Sequence, residues 1–300
     1  MKSSTIALLA LFPLLTPGTL FAQADERTQI WESLREADVR LAESSRTLGF
    51  NQAFLNSFSD GAVIFRRGPV DARNLYEQTG PAQRGESTLE SKANYIDFSI
   101  AGDIGLTTGP YRFTNGSDSE ARMTYGHFVT IWRKFDGQWR MAADMTVRVP
   151  GVLSLDVNAE ISETLQSLSE TASANVENST LESLVEADER FISSINFRGG
   201  MRAMLRYGLA NQRVYVPGMA PGIGIEAGAH VYGAYLDESL EMSALQHQSG
   251  GYFLSESRDA GYTFGTMSAQ GSDFNTNYLR YWRYTPEGEW RIAVEVLNPY

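Results

Sequence analysis

Cysteine is absent from all 300 residues. That excludes disulfides, thiolate zinc sites, a cysteine nucleophile and a lipid-bearing cysteine in this chain. Positive charge is scarce, with 25 Lys and Arg against 36 Asp and Glu and a net charge of −11. Nucleic acid and anionic lipid both require a basic footprint, so neither is expected as a partner. The three histidines, His127, His230 and His247, never fall at His-x-His or His-x-x-x-His spacing, so no metal site is expected. No Gly-x-Ser-x-Gly elbow marks a hydrolase nucleophile. The stretch "GIGIEAG" fails the Gly-x-Gly-x-x-Gly spacing of a nucleotide cradle and reads as loop. No cofactor is expected.

Long apolar runs are missing too, except at the start. Lys2 precedes "IALLALFPLL", then "TPG", then "FAQA" before Asp25. Charged n-region, apolar h-region and an Ala-x-Ala site predict a signal peptide over residues 1–24, cleaved between Ala24 and Asp25. The run is too short to cross a bilayer, and Pro13 and Pro17 interrupt it. The expected location is therefore periplasmic or secreted, with no membrane contact after cleavage.

What is present is a repeat. "EAD" at Glu36–Asp38 recurs at Glu186–Asp188, and "GDIGLTTG" answers to "RDAGYTFG". That sets Asp103, Gly105, Thr107 and Gly109 against Asp259, Gly261, Thr263 and Gly265. "YGHFVTIWRKFDGQWRMAADM" answers to "NYLRYWRYTPEGEWRIAVEV", pairing Trp132 with Trp282, Trp139 with Trp290 and Asp144 with Glu295. So many ordered matches point to tandem duplication. The predicted organisation is a first domain over 25–150, a polar linker over 151–180, partly helical around "AEISETLQSLSE", and a second domain over 181–300.

Each unit begins with helical periodicity, as at Ile30, Leu34, Ala37 and Leu41, and ends with period-two segments joined by Asp-Gly or Glu-Gly turns. This predicts α+β, helices packed on one face of an antiparallel sheet. On the last strand Trp139, Met141, Ala143, Met145 and Val147 are expected to face one way, with Asp144 opposite. Trp290, Ile292, Val294 and Val296 are expected to repeat that alternation, leaving Glu295 opposite.

The "GDIGLTTG" stretch and the "W-x-K-x-x-G-x-W" pattern resemble the nuclear transport factor 2-like superfamily, near its SnoaL-like and ketosteroid-isomerase-like branches and the bacterial domain of unknown function 4440. The resemblance covers nearly all of the chain after the signal, in two copies. It implies two tandem cone-shaped domains, each with helices on a strongly curved antiparallel sheet around a conical pocket. Members of that superfamily isomerise, cyclise, hydrate, bind or dimerise, so fold does not decide function.

Chemistry of the isomerase kind needs a carboxylate base and donors for an enolate oxygen. The candidate catalytic set is Asp144, His127 and Tyr125, with Asp103 and Arg66 further out. In the second unit only the acid persists, as Glu295; Asn277 and Asn275 replace His127 and Tyr125. Candidate pocket-binding residues are Trp132, Phe128, Arg66, Tyr278, Trp282 and Glu295. Arg198, Arg202 and Arg206, every fourth residue, read as a solvated helix face or an anion clamp. Three functions remain open: a binder of a small, partly apolar molecule or a protein pairing through its sheets; a cofactor-independent isomerase, cyclase or hydratase using the first unit; and a structural pseudo-dimer of the two domains within one chain.

Overall fold

The computed structural model describes residues 17–79, 87–115, 122–162, 176–237 and 244–300. Residues 1–16 of the expected signal and 163–175 of the expected linker lie outside these, as do 116–121 of the expected hairpin loop.

The first half opens with helix α1 (Pro17–Leu48), which runs on through Ala24 and Asp25. Ile30, Leu34, Ala37, Asp38 and Leu41 form its buried stripe, the spacing of a helix packed on one side. Gly49, at φ 88°, turns the chain into α2 (Phe50–Ser57). Then come β1 (Phe58–Arg66), β2 (Gly68–Asp71), α3 (Ala72–Thr79), β3 (Ser87–Ser91), β4 (Tyr95–Phe98), β5 (Ile104–Asn115), β6 (Arg122–Phe135) and β7 (Gln138–Val149). They form a sheet in the order β2-β1-β7-β6-β5-β4, with β3 also pairing β5. Inside the expected linker, β8 (Glu160–Ile161) adds to this sheet parallel to β4, so that part of "AEISETLQSLSE" is strand.

The second half repeats the plan with α4 (Leu181–Arg198), α5 (Gly200–Tyr207), β9 (Gly208–Tyr215), β10 (Gly222–Ile223), α6 (Ile225–Leu236), β11 (Leu245–Leu254), β12 (Ala260–Ala269), β13 (Asn275–Tyr284) and β14 (Trp290–Pro299). Its order is β10-β9-β14-β13-β12-β11. Apart from the short β8 on β4, each sheet is antiparallel except where its first strand lies parallel to its long last one, β1 on β7 and β9 on β14. Whole-unit connections allow this, since parallel pairing needs a long crossover. Gly199, at φ 83°, separates Arg198 from Arg202 and Arg206, so the three arginines do not share one helix.

Asp136 and Gly137, at φ 47° and 77°, turn the β6–β7 hairpin as Asp-Gly predicts. A β-bulge shifts the register between Ile131 and Trp132, and another between Tyr281 and Trp282. One extra residue reverses the faces beyond it. Trp139 and Met141 pack under the helices, whereas Ala143, Met145 and Val147 point to the other side. Trp290 and Ile292 likewise pack under helices, with Val294 and Val296 opposite. The uniform alternation expected from sequence is therefore broken once in each unit.

The repeated motifs hold this scaffold. Trp132 donates to Thr107 Oγ1 at 2.9 Å, and Thr107 donates to Asp38 at 3.0 Å. Trp282, Thr263 and Asp188 form the same relay at 3.0 and 2.9 Å. Trp139 and Trp290 donate to Ser33 and Ser183. A Cβ at Gly109 or Gly265 would meet a neighbouring carbonyl, Lys92 O or Gln248 O, at 2.1 or 2.2 Å. Only glycine allows those backbones so close.

Between the sheets lies a shared apolar layer. Val129, Ile131, Met145 and Val147 of the first meet Tyr215, Leu279, Tyr281 and Val296 of the second. The repeated acids of "GDIG" and "RDAG" act reciprocally here. Asp103 accepts from Glu256 N at 2.9 Å, and Asp259 accepts from Ile100 N at 3.2 Å. Arg283, fully buried, joins Asp97 of the first unit to Asp259 of the second. Its counterpart Arg133 lies 3.5 Å over the ring of Phe253.

Candidate functional site

The register aligns the two interiors residue by residue. Thr130 pairs with Thr107 and Asp144; Arg280 pairs with Thr263 and Glu295. Thr130 therefore stands where the second unit has Arg280, and Asp38 and Asp144 stand where it has Asp188 and Glu295.

In the second unit Arg280 fills the interior. Its guanidinium bonds Asp188 at 2.8 Å and Glu295 at 2.8 Å. It lies 3.9 Å over the Tyr278 ring and 4.9 Å from that of Phe191. Burial alone would raise the Asp188 carboxyl, but Arg280 and His247 bring it down to about 2. Tyr278 also touches His247 Nε2 at 2.5 Å and donates to Asp188 at 3.3 Å. Tyr278, Trp282 and Glu295, expected as pocket-binding, are thus brought together but belong to a packed ionic core.

In the first unit the shorter Thr130 borders a small recess instead. A cavity of about 260 Å³ opens between α2, α3 and the sheet, lined by Phe50, Phe54, Tyr76, Tyr111, Phe113 and Asp144 among others, with Arg66 and Arg148 also lining it. Beneath it a recess of about 30 Å³ reaches Asp38, Leu41, Phe128, Thr130 and Asp144. The two share Phe54, Leu89, Tyr111, Asp144 and Thr146, so they adjoin.

Two carboxylates face this space without a cation between them. Asp144 accepts from Thr130 Oγ1 at 2.6 Å. Burial pushes it up to about 6, against Thr130 and the more distant Arg66. It is enclosed by protein yet half-exposed, because it borders the cavity. Asp38, 5% exposed, is also pushed up to about 6 by burial, against the Thr107 hydroxyl and the Ala93 amide and with a further push from the charge of Asp144. The contrast between Asp38 and Asp188 comes chiefly from Arg280, with His247 adding to it.

Asp144, His127 and Tyr125 do not converge. Asp144 pairs across the sheet with Thr130, whereas His127 and Tyr125, an odd number of residues away on β6, project to the opposite face. His127 packs on Tyr215 of the second unit with ring centroids 5.4 Å apart, and neither ring nitrogen has a protein partner. Burial lowers its pKa to about 4, which keeps it neutral. The Tyr125 hydroxyl reaches Met123 Sδ at 3.5 Å. Arg66 lines the cavity and Phe128 its recess. Trp132 instead borders a surface cleft of about 380 Å³ beside the β6–β7 turn, which has no carboxylate in its lining.

Asp38 is the residue that sequence reasoning passed over. Its signal is there: an acid within the apolar stripe of Leu34, Ala37 and Leu41, repeated as Asp188. Tyr76 and Tyr111, which also line the cavity, carry no motif.

No protein-family description and no curated protein sequence matches the chain. Solved structures do show likeness. A ketosteroid isomerase-like protein from Erwinia carotovora atroseptica is 15% identical, covering 40% of this chain and 95% of its own, with a TM-score of 0.32. A nuclear transport factor 2-like superfamily protein from Salmonella enterica serovar Typhimurium is 18% identical, covering 44% and 99%, with a TM-score of 0.33. A nuclear transport factor 2-like protein of unknown function from Silicibacter pomeroyi is 13% identical, covering 40% and 95%, also at 0.33. Two of these three structures carry the nuclear transport factor 2-like name, and each of the three covers less than half of this chain.

Proposed function

We propose that the first unit binds a small, partly apolar molecule in its cavity, while the second serves as its covalent sheet partner. The observation that carries this reading is Thr130 opposite Arg280: one interior is open where its copy is filled by a bonded side chain. Aromatic walls around a few polar groups are the usual make-up of a small-molecule site. The finer shape that fits is a cone in each unit, the two pairing through their sheets as a pseudo-dimer. The shared apolar layer and the reciprocal bonds of Asp103 and Asp259 support that pairing. The pattern of residues 1–24 supports export to the periplasm or medium.

Methyl-resolved NMR during titration with small aromatic fragments tests the binding reading. Shifts should localise to Ile64 and Leu89, which line the cavity. Shifts confined to Ile292 and Leu297, in the second core, would overturn it.

A second reading, proton transfer, is favoured by one observation. A carboxylate at about 6 is suited to act as a base near neutral pH. Asp144 would be that base, with the Tyr76 or Tyr111 hydroxyl as donor in place of His127 and Tyr125, which face away. Asp144→Asn should then abolish turnover of any substrate found while leaving the fold intact; retained turnover would refute the role.

A further inference from the structure

The chain contains its own picture of what its open site lacks. In the second unit a guanidinium is held by two carboxylates, Asp188 and Glu295, with the rings of Tyr278 and Phe191 against it. In the first unit the corresponding carboxylates, Asp38 and Asp144, remain, with Phe128 at the position of Tyr278 and Leu41 at that of Phe191. The cation is gone, and Thr130 leaves a recess in its place.

Resting on the binding reading above, we infer that the ligand of the first unit is a cation, a small molecule with an amidinium, guanidinium or ammonium head that enters the recess between Asp38 and Asp144 as Arg280 does between Asp188 and Glu295.

Three features beyond charge favour a head of this kind. Asp38 and Asp144 come from different elements, α1 and β7, and approach the recess from two sides, as Asp188 and Glu295 do around Arg280. Planar N–H forks match two carboxylates in this way better than a spherical ion does. The recess of about 30 Å³ has room for a small polar head beyond one water. Above it, Phe50, Phe54, Tyr76 and Phe113 offer apolar and aromatic contact to the body of the ligand. Such faces attract cations as well as apolar groups.

The other charged and titratable groups facing the space are Arg66 on β1, Tyr76 on α3, Tyr111 on β5 and Arg148 on β7. Both arginines are exposed, away from the acidic recess. An acceptor at the outer end of the ligand would meet them, so the site is polarised, acidic at the base and basic at the rim. A cation in the recess would favour the ionised forms of Asp38 and Asp144, and binding would release protons when the pH is near or below 6.

Three nearly isosteric probes separate the possibilities by calorimetry on the whole protein: benzamidinium, benzamide and benzoate. At pH 7.5 benzamidinium should bind saturably and at least tenfold more tightly than either other probe. Thr130→Arg, which supplies the guanidinium from within, should abolish that binding while the circular dichroism spectrum is retained. Asp144→Asn should weaken it at least tenfold, and this arm stands even if Thr130→Arg fails to fold. Benzoate or benzamide binding as tightly as benzamidinium, and blocked by Thr130→Arg, would overturn the cationic ligand yet leave the cavity as a binding site. Saturation by none of the three would overturn both. Benzamidinium binding that survives Thr130→Arg and Asp144→Asn would place it elsewhere and also refute the inference.

Discussion

Asp38→Asn and Asp188→Asn are the same change at equivalent places, and they should move stability in opposite directions. Asp188 neutralises a guanidinium that is 0% exposed. Removing one partner of a buried pair costs about 3–5 kcal/mol. The lower end applies here, because Glu295 still holds Arg280. Asp38 has no cation and its folded pKa is raised, from 3.8 to about 6. A raised carboxyl binds its proton more tightly in the folded state than in the unfolded one. It therefore costs nothing below the unfolded value, and stability falls as pH rises from about 4 to about 6. Above that the cost is complete, about 3 kcal/mol at 1.36 kcal/mol per pH unit. Asparagine keeps an acceptor for Thr107 and carries no charge, so Asp38→Asn should recover up to about 3 kcal/mol at pH 8 and little at pH 4. Urea unfolding of the two variants and the parent at both pH values measures this. The reasoning is refuted if Asp38→Asn at pH 8 destabilises as much as Asp188→Asn.

Thr130→Arg should raise the urea midpoint at pH 8 more than at pH 4, because the new cation matters only when Asp38 and Asp144 are ionised; equal shifts at both pH values would count against it. Arg283→Met leaves Asp97 and Asp259 buried and unpaired between the units and should cost about 3–5 kcal/mol, whereas adding Asp97→Asn should restore part of that in a double-mutant cycle. Thr107→Val breaks the relay from Trp132 to Asp38 and should cost about 1–3 kcal/mol by chemical denaturation. Mass spectrometry of the exported protein should find a chain that begins at Asp25, and retention of residues 1–24 would contradict the signal reading.

Much of the scaffold was legible because period and repetition both report on it. The stripe at Ile30, Leu34, Ala37 and Leu41 marked α1, and Asp136-Gly137 marked its hairpin. The matched glycines, threonines, acids and tryptophans marked the duplication. Of those residues Trp132 was read as a pocket residue, yet with Thr107 and Gly109 it holds the scaffold. The faces of β7 were misread because one extra residue at a bulge reverses parity, and no residue type announces it. His127 was set beside Asp144 for want of counting strand parity across the hairpin register. The recess beneath the cavity had no motif because it marks the absence of a side chain. It becomes readable only when "FVTIW" is laid on "YLRYW" and Thr130 falls on Arg280.

The central claim is that one interior is an open site and its copy is filled. A crystal structure of the protein purified from its own host would test this most directly. The account predicts discrete non-protein density between Phe54, Tyr76 and Asp144, with the Arg280 guanidinium seated between Asp188 and Glu295 in the second unit. Tyr76 and Phe113 collapsed onto Asp144, with no space left between them, would contradict it.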